Sequence, residues 1–414
     1  MNPLNYETKE VDKYYMTFDK MYPKAYNKKT TNPYTKTRVI LLNGTEYESV
    51  WFLHQMARNC NNDEIKRAIA IVRSQEQQQQ NRIACLKPLN ESILETTIAY
   101  EQLAIDLTAT LAQNEKDKDN IEALNFALLE DFDHLYRFSN LMMLDVKGAN
   151  PEFLVGSFTE IMPGRPTIAH HRYPMDNVKK PMVAKKSDLY SKLVASIITA
   201  AEQQTMNYYM NISQWYKNDL GRKLYAEIGM VEEEHVTQYE SLKDTTCTWL
   251  EQWVIHEYTE AYLYYSAYME EKNLNIKNIW LDHYEMECAH LKLAIKLLEK
   301  YDKVSYTKAI GDGEFPKLLT LGTNKQYVRD VLARTVLLTG NRDSYIDVMR
   351  LKPNADFFLY QDIIIPSEAT VPSHAVINKA IEKLGQDYRY QDKPNPIKEL
   401  QNRKKDNTTL GRKQ

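Results

Sequence analysis

Three histidines of the 414-residue chain stand three residues after a carboxylate, in the pairs Asp131–His134, Glu232–His235 and Glu287–His290. Taken singly such pairs mean little, because a chain with 56 acidic residues yields about one by coincidence. Thirty residues before each of these acids, however, stands a glutamate: Glu101, Glu202 and Glu257. Three accidental matches of that kind is a matter of order one in a thousand. Residues at i and i+3 share a helix face, so each acid and its imidazole can converge on one cation. Carboxylate oxygens with one imidazole per ion suit iron or manganese better than a thiolate site would.

Such ligands need long, rigid elements to hold them. From Asn90 onward six segments of helical periodicity follow, near 91–115, 119–145, 188–214, 219–243, 246–272 and 274–301, and Asn90-Glu91-Ser92 gives the first a capping start. Each would be roughly 37–42 Å long at 1.5 Å per residue, a length suited to bundles. The junctions Asn114 to Asp119, Lys217 to Gly221, Lys243 to Thr246 and Lys272 to Asn275 are short. The spacing therefore predicts three antiparallel hairpins. The midpoints of the three glutamate–acid pairs fall near residues 116, 217 and 272, in or beside the hairpin turns. Each hairpin then presents, at one level, a glutamate from one helix and an acid–histidine pair from the other. Two hairpins supply four carboxylates and two imidazoles, the ligand set of a carboxylate-bridged di-metal centre.

Chain connectivity selects which two. The Pro-containing stretch 148–187 is long enough to carry the chain back along the bundle. That joins the first and second hairpins into one centre of Glu101, Asp131, His134, Glu202, Glu232 and His235. The link Lys243 to Thr246 cannot do the same and leaves the fifth helix parallel to the third. Glu257, Glu287 and His290 are thus a further half-site. A twofold axis between two subunits of a homodimer would complete it; otherwise its acids are solvated. Asp131, one methylene shorter than glutamate, is expected to bind terminally, and Glu130, about 100° around the helix, is the poorer ligand. His170 and His171 read as loop residues, and His256 and His283 fit no pairing. Tyr208, Tyr209, Tyr264 and Tyr265 follow the glutamates by about two helical turns, where packing or hydrogen bonding to the ligands is open to them.

The stretches Ala201-Glu202-Gln203 through Tyr209 and Val231-Glu232-Glu233-Glu234-His235 resemble rubrerythrins and the wider ferritin-like superfamily, as do Glu257 through Tyr264 and Glu287-Cys288-Ala289-His290. The resemblance covers about residues 91–301. It implies a four-helix bundle holding two iron ions, with manganese as the alternative, and an oxidoreductase acting on peroxide or dioxygen. The chain departs from that pattern at Asp131 and in lacking a rubredoxin-like CxxC pair, so any electron donor must be separate. A ferroxidase or iron-handling role, and a non-enzymatic helical scaffold or interaction protein, stand as alternatives.

The remaining sequence is expected to extend this core. The fold class is mainly α: a ferritin-like four-helix bundle with an additional helical hairpin and N- and C-terminal extensions, divided as 1–89, 90–302 and 303–414. Residues 1–35 read as an extended arm, followed by helices over 45–59 and 63–87. The run Gln75 to Gln80 is expected to form a solvated helix face. Beyond residue 302 the pattern predicts a helix within 325–350, a strand or extended segment over Phe357 to Ile365, a helix over 373–385 and a polar tail from Gln391. A net charge of -3 argues against nucleic acid, and no apolar run suits a membrane span. With a polar Met1 to Lys13 and four dispersed cysteines, the expectation is a cytoplasmic protein with reduced thiols.

Overall fold

The computed structural model describes residues 1–183 and 186–384, so the tail from Gln391 lies outside the described residues. The chain is mainly helical. A short helix α1 (Phe18–Met21) precedes α2 (Pro33–Arg58) and α3 (Asp63–Ala84). Then come α4 (Ile93–Asn114), α5 (Lys118–Asp145), the one-turn α6 (Thr167–His170), α7 (Leu189–Ser213), α8 (Asp219–Glu240), α9 (Trp249–Glu270) and α10 (Leu274–Tyr301). The six long helices expected from periodicity are therefore present, within a few residues of their predicted ends. Their starts are set by side chains that satisfy otherwise unpaired backbone N–H groups. Ser92 with Glu95 and Thr248 with Glu251 form capping boxes at α4 and α9, and Asp117, Asp188, Asn218 and Asn273 cap α5, α7, α8 and α10.

The N-terminal region differs from expectation. Helix α2 begins at Pro33, twelve residues before the predicted start, with Asn32 as its cap. The polar opening Thr35-Lys36-Thr37 disguised it, yet all three residues are buried. Thr35 Oγ1 donates to Glu271, and Lys36 pairs with the buried Glu91 at 3.1 Å. The arm over residues 1–35 is held against the bundle: Tyr14, Met16 and Met21 pack against Met286 and Ala289 of α10.

Ion pairs and hydrogen bonds at the helix ends give the direction of each element. Lys116, in the α4–α5 turn, pairs with Asp188 at the start of α7 (2.9 Å). At the far end Tyr216 and Asn218, in the α7–α8 turn, donate to Asp145 at the end of α5. The turns of these two hairpins thus lie at opposite ends, and α4 runs antiparallel to α7. The crossover between them has carried the chain back along the bundle as its length allowed. The hairpins α2–α3 and α9–α10 repeat this arrangement. Arg38 near the start of α2 binds Glu271 in the α9–α10 turn, whereas Glu64 at the start of α3 binds Lys300 at the end of α10. One continuous apolar core runs through both sets of helices, from Val39 and Leu42 of α2 through Leu103 and Leu107 of α4 and Ile198 of α7 to Trp253 and Trp280 of α9 and α10.

After a short helix α11 (Thr307–Ile310), α12 (Lys325–Thr335) packs on α5. A two-stranded hairpin follows, β1 (Leu338–Asn341) and β2 (Ser344–Asp347), with Arg342 at a left-handed φ of 54° in its turn. These strands were not foreseen. Conversely the strand or extended segment expected over Phe357 to Ile365 is a helix, α13 (Asp356–Ile364). Phe357, Phe358 and Gln361 are buried at i, i+1 and i+4, a helical spacing that a short apolar run does not reveal. The last described helix, α14 (Pro372–Leu384), lies against α5 and α8. No helix of the described residues is long and apolar enough to cross a membrane.

Candidate metal centre

The first two hairpins bring all six expected ligands together. Potential ligand atoms of Asp131, Glu202, Glu232 and His235 lie within 4.8 Å of one another, and so do those of Glu101, His134 and Glu232. Glu232 belongs to both groups and is the shared carboxylate. Its two oxygens face the two imidazoles, Oε1 at 3.0 Å from His134 Nδ1 and Oε2 at 3.1 Å from His235 Nδ1. Asp131 reaches the His235 group alone, with Oδ1 at 3.4 Å from Nδ1. That matches a side chain one methylene short of a bridging glutamate.

These side chains are buried, each at 2% exposure or less. Both oxygens of Asp131, both of Glu202 and Oε2 of Glu101 accept no hydrogen bond from the described residues. Burying a carboxylate without a donor or a counter-ion costs several kcal/mol. Burial and the neighbouring acids accordingly push Glu101 and Asp131 well above the usual carboxylate range, and Glu232 rises to about 8. His134 is driven the other way, first by burial and then by Arg137, and is held neutral with a lone pair to offer. Burial opposes charge on His235 as well, but the carboxylates around it, Asp131 foremost, outweigh that and favour its protonated form. Hard carboxylate oxygens, five of them without a hydrogen bond from the described residues, together with two imidazoles form a set that could hold a metal ion.

A surrounding shell orients the ligands. Glu130, the poorer ligand on helix geometry, receives the outer nitrogen of His235 (Nε2 to Oε2, 2.7 Å). Its carboxylate is itself fixed by Arg172 (2.7 Å) and Arg165 (2.8 Å), whose charges hold it well below the usual range despite burial. Both arginines come from the crossover, which closes tightly over α5: a Cβ on Gly164 would lie 1.9 Å from the Leu129 carbonyl oxygen. Of the two crossover histidines, His170 sits edge-on to His134 with ring centres 5.5 Å apart, and His171 pairs with Glu227 at 3.2 Å. Tyr209 Oη donates to Glu101 Oε1 at 2.5 Å, while Tyr208 only packs and reaches a backbone carbonyl.

The third hairpin is also completed, though not as expected. Glu257, Glu287 and His290 converge with Glu76 of α3. The opposing half comes from the same chain's α2–α3 hairpin, so no second subunit is required for it, and the three residues are buried, not solvated. Gln75, Glu76 and Gln79 are fully buried too, which overturns the reading of that stretch as a solvated face. Glu46 and Glu76 are again thirty residues apart, but Gln79 stands where a histidine would have marked the pair. That substitution hid the second cluster. His256 and His283, unassigned in the sequence, border it: His256 lies 3.6 Å from Glu260, and His283 faces Tyr264 Oη at 3.1 Å.

Comparison with protein-family models, with curated proteins and with solved structures finds no match for this chain.

Proposed function

We propose that the α4–α5 and α7–α8 hairpins form a ferritin-like di-metal centre, and that the protein is an oxidoreductase acting on peroxide or dioxygen. The observation that carries this reading is the buried convergence of four carboxylates and two imidazoles, in which the oxygens of Asp131 and Glu202 and Oε2 of Glu101 accept no hydrogen bond from the described residues. Glu101 and His134 would hold one ion, Glu202, His235 and Asp131 the other, with Glu232 between them. Iron is the favoured metal and manganese the alternative, given one nitrogen and several hard oxygens per ion. Two such ions, when bound, supply the electrons that reduce an O–O bond.

The chain's own residues define the rest. Glu130 fixes the His235 ring through Nε2 and so aims Nδ1 at the carboxylates. Tyr209 stays protonated, because burial and the neighbouring Glu101 raise it well above the usual phenol range, and keeps its proton on the Glu101 side of the site. The reducing equivalents come from a separate donor.

The test is substitution of His235→Ala and Glu202→Ala, with metal content and peroxide-dependent oxidation of a small reductant measured together. Both variants should lose most of the metal at this centre and the activity. Full retention of metal and turnover in both would refute the assignment.

A further inference from the structure

We propose that the chain holds a second metal centre, between α2–α3 and α9–α10, that binds two divalent cations of the manganese or iron class unequally. This inference does not rest on the redox reading of the first centre, since it concerns binding alone.

The second cluster repeats the first position by position. Glu46 stands as Glu101 does, Glu76 as Asp131, Glu257 as Glu202, Glu287 as Glu232 and His290 as His235. The supporting residues repeat as well. Tyr264, seven residues after Glu257, donates to Glu46, just as Tyr209, seven after Glu202, donates to Glu101. The residue before Glu76, Gln75, receives the outer nitrogen of the opposing His290 at 2.8 Å, as Glu130 does for His235.

Gln75 also settles which nitrogen of His290 is free. Its amide Nε2 donates to the Val11 carbonyl at 2.7 Å, and a carbonyl only accepts. Its Oε1 therefore faces His290, so Nε2 of that ring carries a hydrogen. Nδ1 is left toward Glu76 (3.0 Å), Glu287 (3.3 Å) and Glu257 (3.7 Å), the position of a metal-binding nitrogen. Around it, Glu46 Oε2, Glu76 Oε2, Glu257 Oε2 and Glu260 Oε1 are buried and accept no hydrogen bond from the described residues. Carboxylates so placed, without donors, are stabilised by a cation and by little else.

The two halves differ in chemistry. One offers Glu76, Glu257, Glu287 and the His290 imidazole; the other offers Glu46, Glu76 and Glu260, with the His256 ring outside that group, its Nε2 3.6 Å from Glu260 Oε2. At the place of His134 stands Gln79, whose amide is turned to donate to Glu287. Glu260 takes over as the third ligand where the first centre has Thr205. First-row divalent ions gain affinity from imidazole, so the His290 position should fill first and the all-carboxylate position last.

The experiment is titration of metal-free, full-length protein with Mn2+, counting bound ions by equilibrium dialysis and by loss of the free-ion EPR signal. About four ions per chain are expected, two per bundle. The double variant Glu76→Gln/His290→Gln, which removes the carboxylate common to both halves and the imidazole, should lose about two of them and keep the rest. Glu232→Gln/His235→Gln should lose the other two, and retention of two ions in that variant supports this proposal whatever becomes of the first centre. Gln79→His, which removes no ligand, should tighten the weakest ion by about tenfold. A count of about two that Glu76→Gln/His290→Gln leaves unchanged, with no gain from Gln79→His, overturns the proposal.

Discussion

His235 and Glu130 meet across α8 and α5, Nε2 to Oε2 at 2.7 Å, although Glu130 is not among the six candidate ligands. This contact ties the ligand ring to two buried guanidinium groups of the crossover, Arg165 and Arg172. Substituting Glu130→Gln removes the negative charge between them while keeping its shape. The expected result is a loss of about 3–5 kcal/mol of stability, as for other buried charges stripped of a partner. Metal affinity should fall about 10–100-fold, as when the group that orients a histidine ligand is lost. Chemical denaturation of the metal-free protein and metal titration separate the two effects. A variant within about 0.5 kcal/mol of the parent and of equal affinity would show that Glu130 orients nothing.

Gly164 marks where the crossover presses on α5. Its N–H donates to Asp133 Oδ1 at 3.1 Å, and any Cβ there would collide with the backbone oxygen of Leu129. Gly164→Ala must therefore lift the strap, at a cost of about 1–3 kcal/mol. Bound metal should then leave faster, which a stopped-flow chelator competition would detect. An unchanged release rate would mean that the strap does not guard the centre.

Asp106 of α4 supplies a pH signature apart from the ligands. Burial pushes its carboxyl up to about 7, against hydrogen bonds from Asn324 and Gln102. The folded chain thus retains a proton that the unfolded chain releases near pH 4. Stability from this group is full below about pH 4 and is lost as pH rises toward 7, a span worth up to about 4 kcal/mol. Asp106→Asn keeps an acceptor for Asn324 and places an amide near Gln102 Oε1, which lacks a partner. The variant should be more stable than the parent at pH 8 and nearly equal to it at pH 4. Urea midpoints at the two pH values check this, and a gain of the same size at both would refute the buried-acid explanation.

Metal removal should weaken the helices that converge on the carboxylates. An ion that binds the folded chain alone, at a hundred times its dissociation constant, adds about 2.7 kcal/mol. Thermal unfolding with and without Mn2+ or Fe2+ should show a higher midpoint with metal. The difference should shrink in His235→Ala. Identical melting of both forms would indicate that the acids are neutralised among themselves.

Much of this was legible in the sequence because both relevant signals are local. Helical periodicity and capping residues such as Ser92, Thr248 and Asn273 placed the six long helices, and the thirty-residue spacing put Glu101, Asp131, Glu202 and Glu232 at one level. The part that was hidden depends on tertiary context. Gln79 replaced the histidine that would have flagged Glu46 and Glu76. Gln75 reads as a solvated residue until His290 is seen against it. Thr35 and Lys36 give no sign of a buried helix because their partners, Glu271 and Glu91, lie far away in sequence. Phe357 and Phe358 show only that a short apolar segment is buried, not which backbone conformation buries it.

The most direct test is anomalous X-ray scattering from crystals of the full-length protein grown with Fe2+ or Mn2+ and measured at the metal's absorption edge. Two peaks are expected among Glu101, Asp131, His134, Glu202, Glu232 and His235, with Glu232 in contact with both. Clear density for these side chains with no anomalous peak between them, the carboxylates paired only with each other and with the imidazoles, would contradict a di-metal centre here.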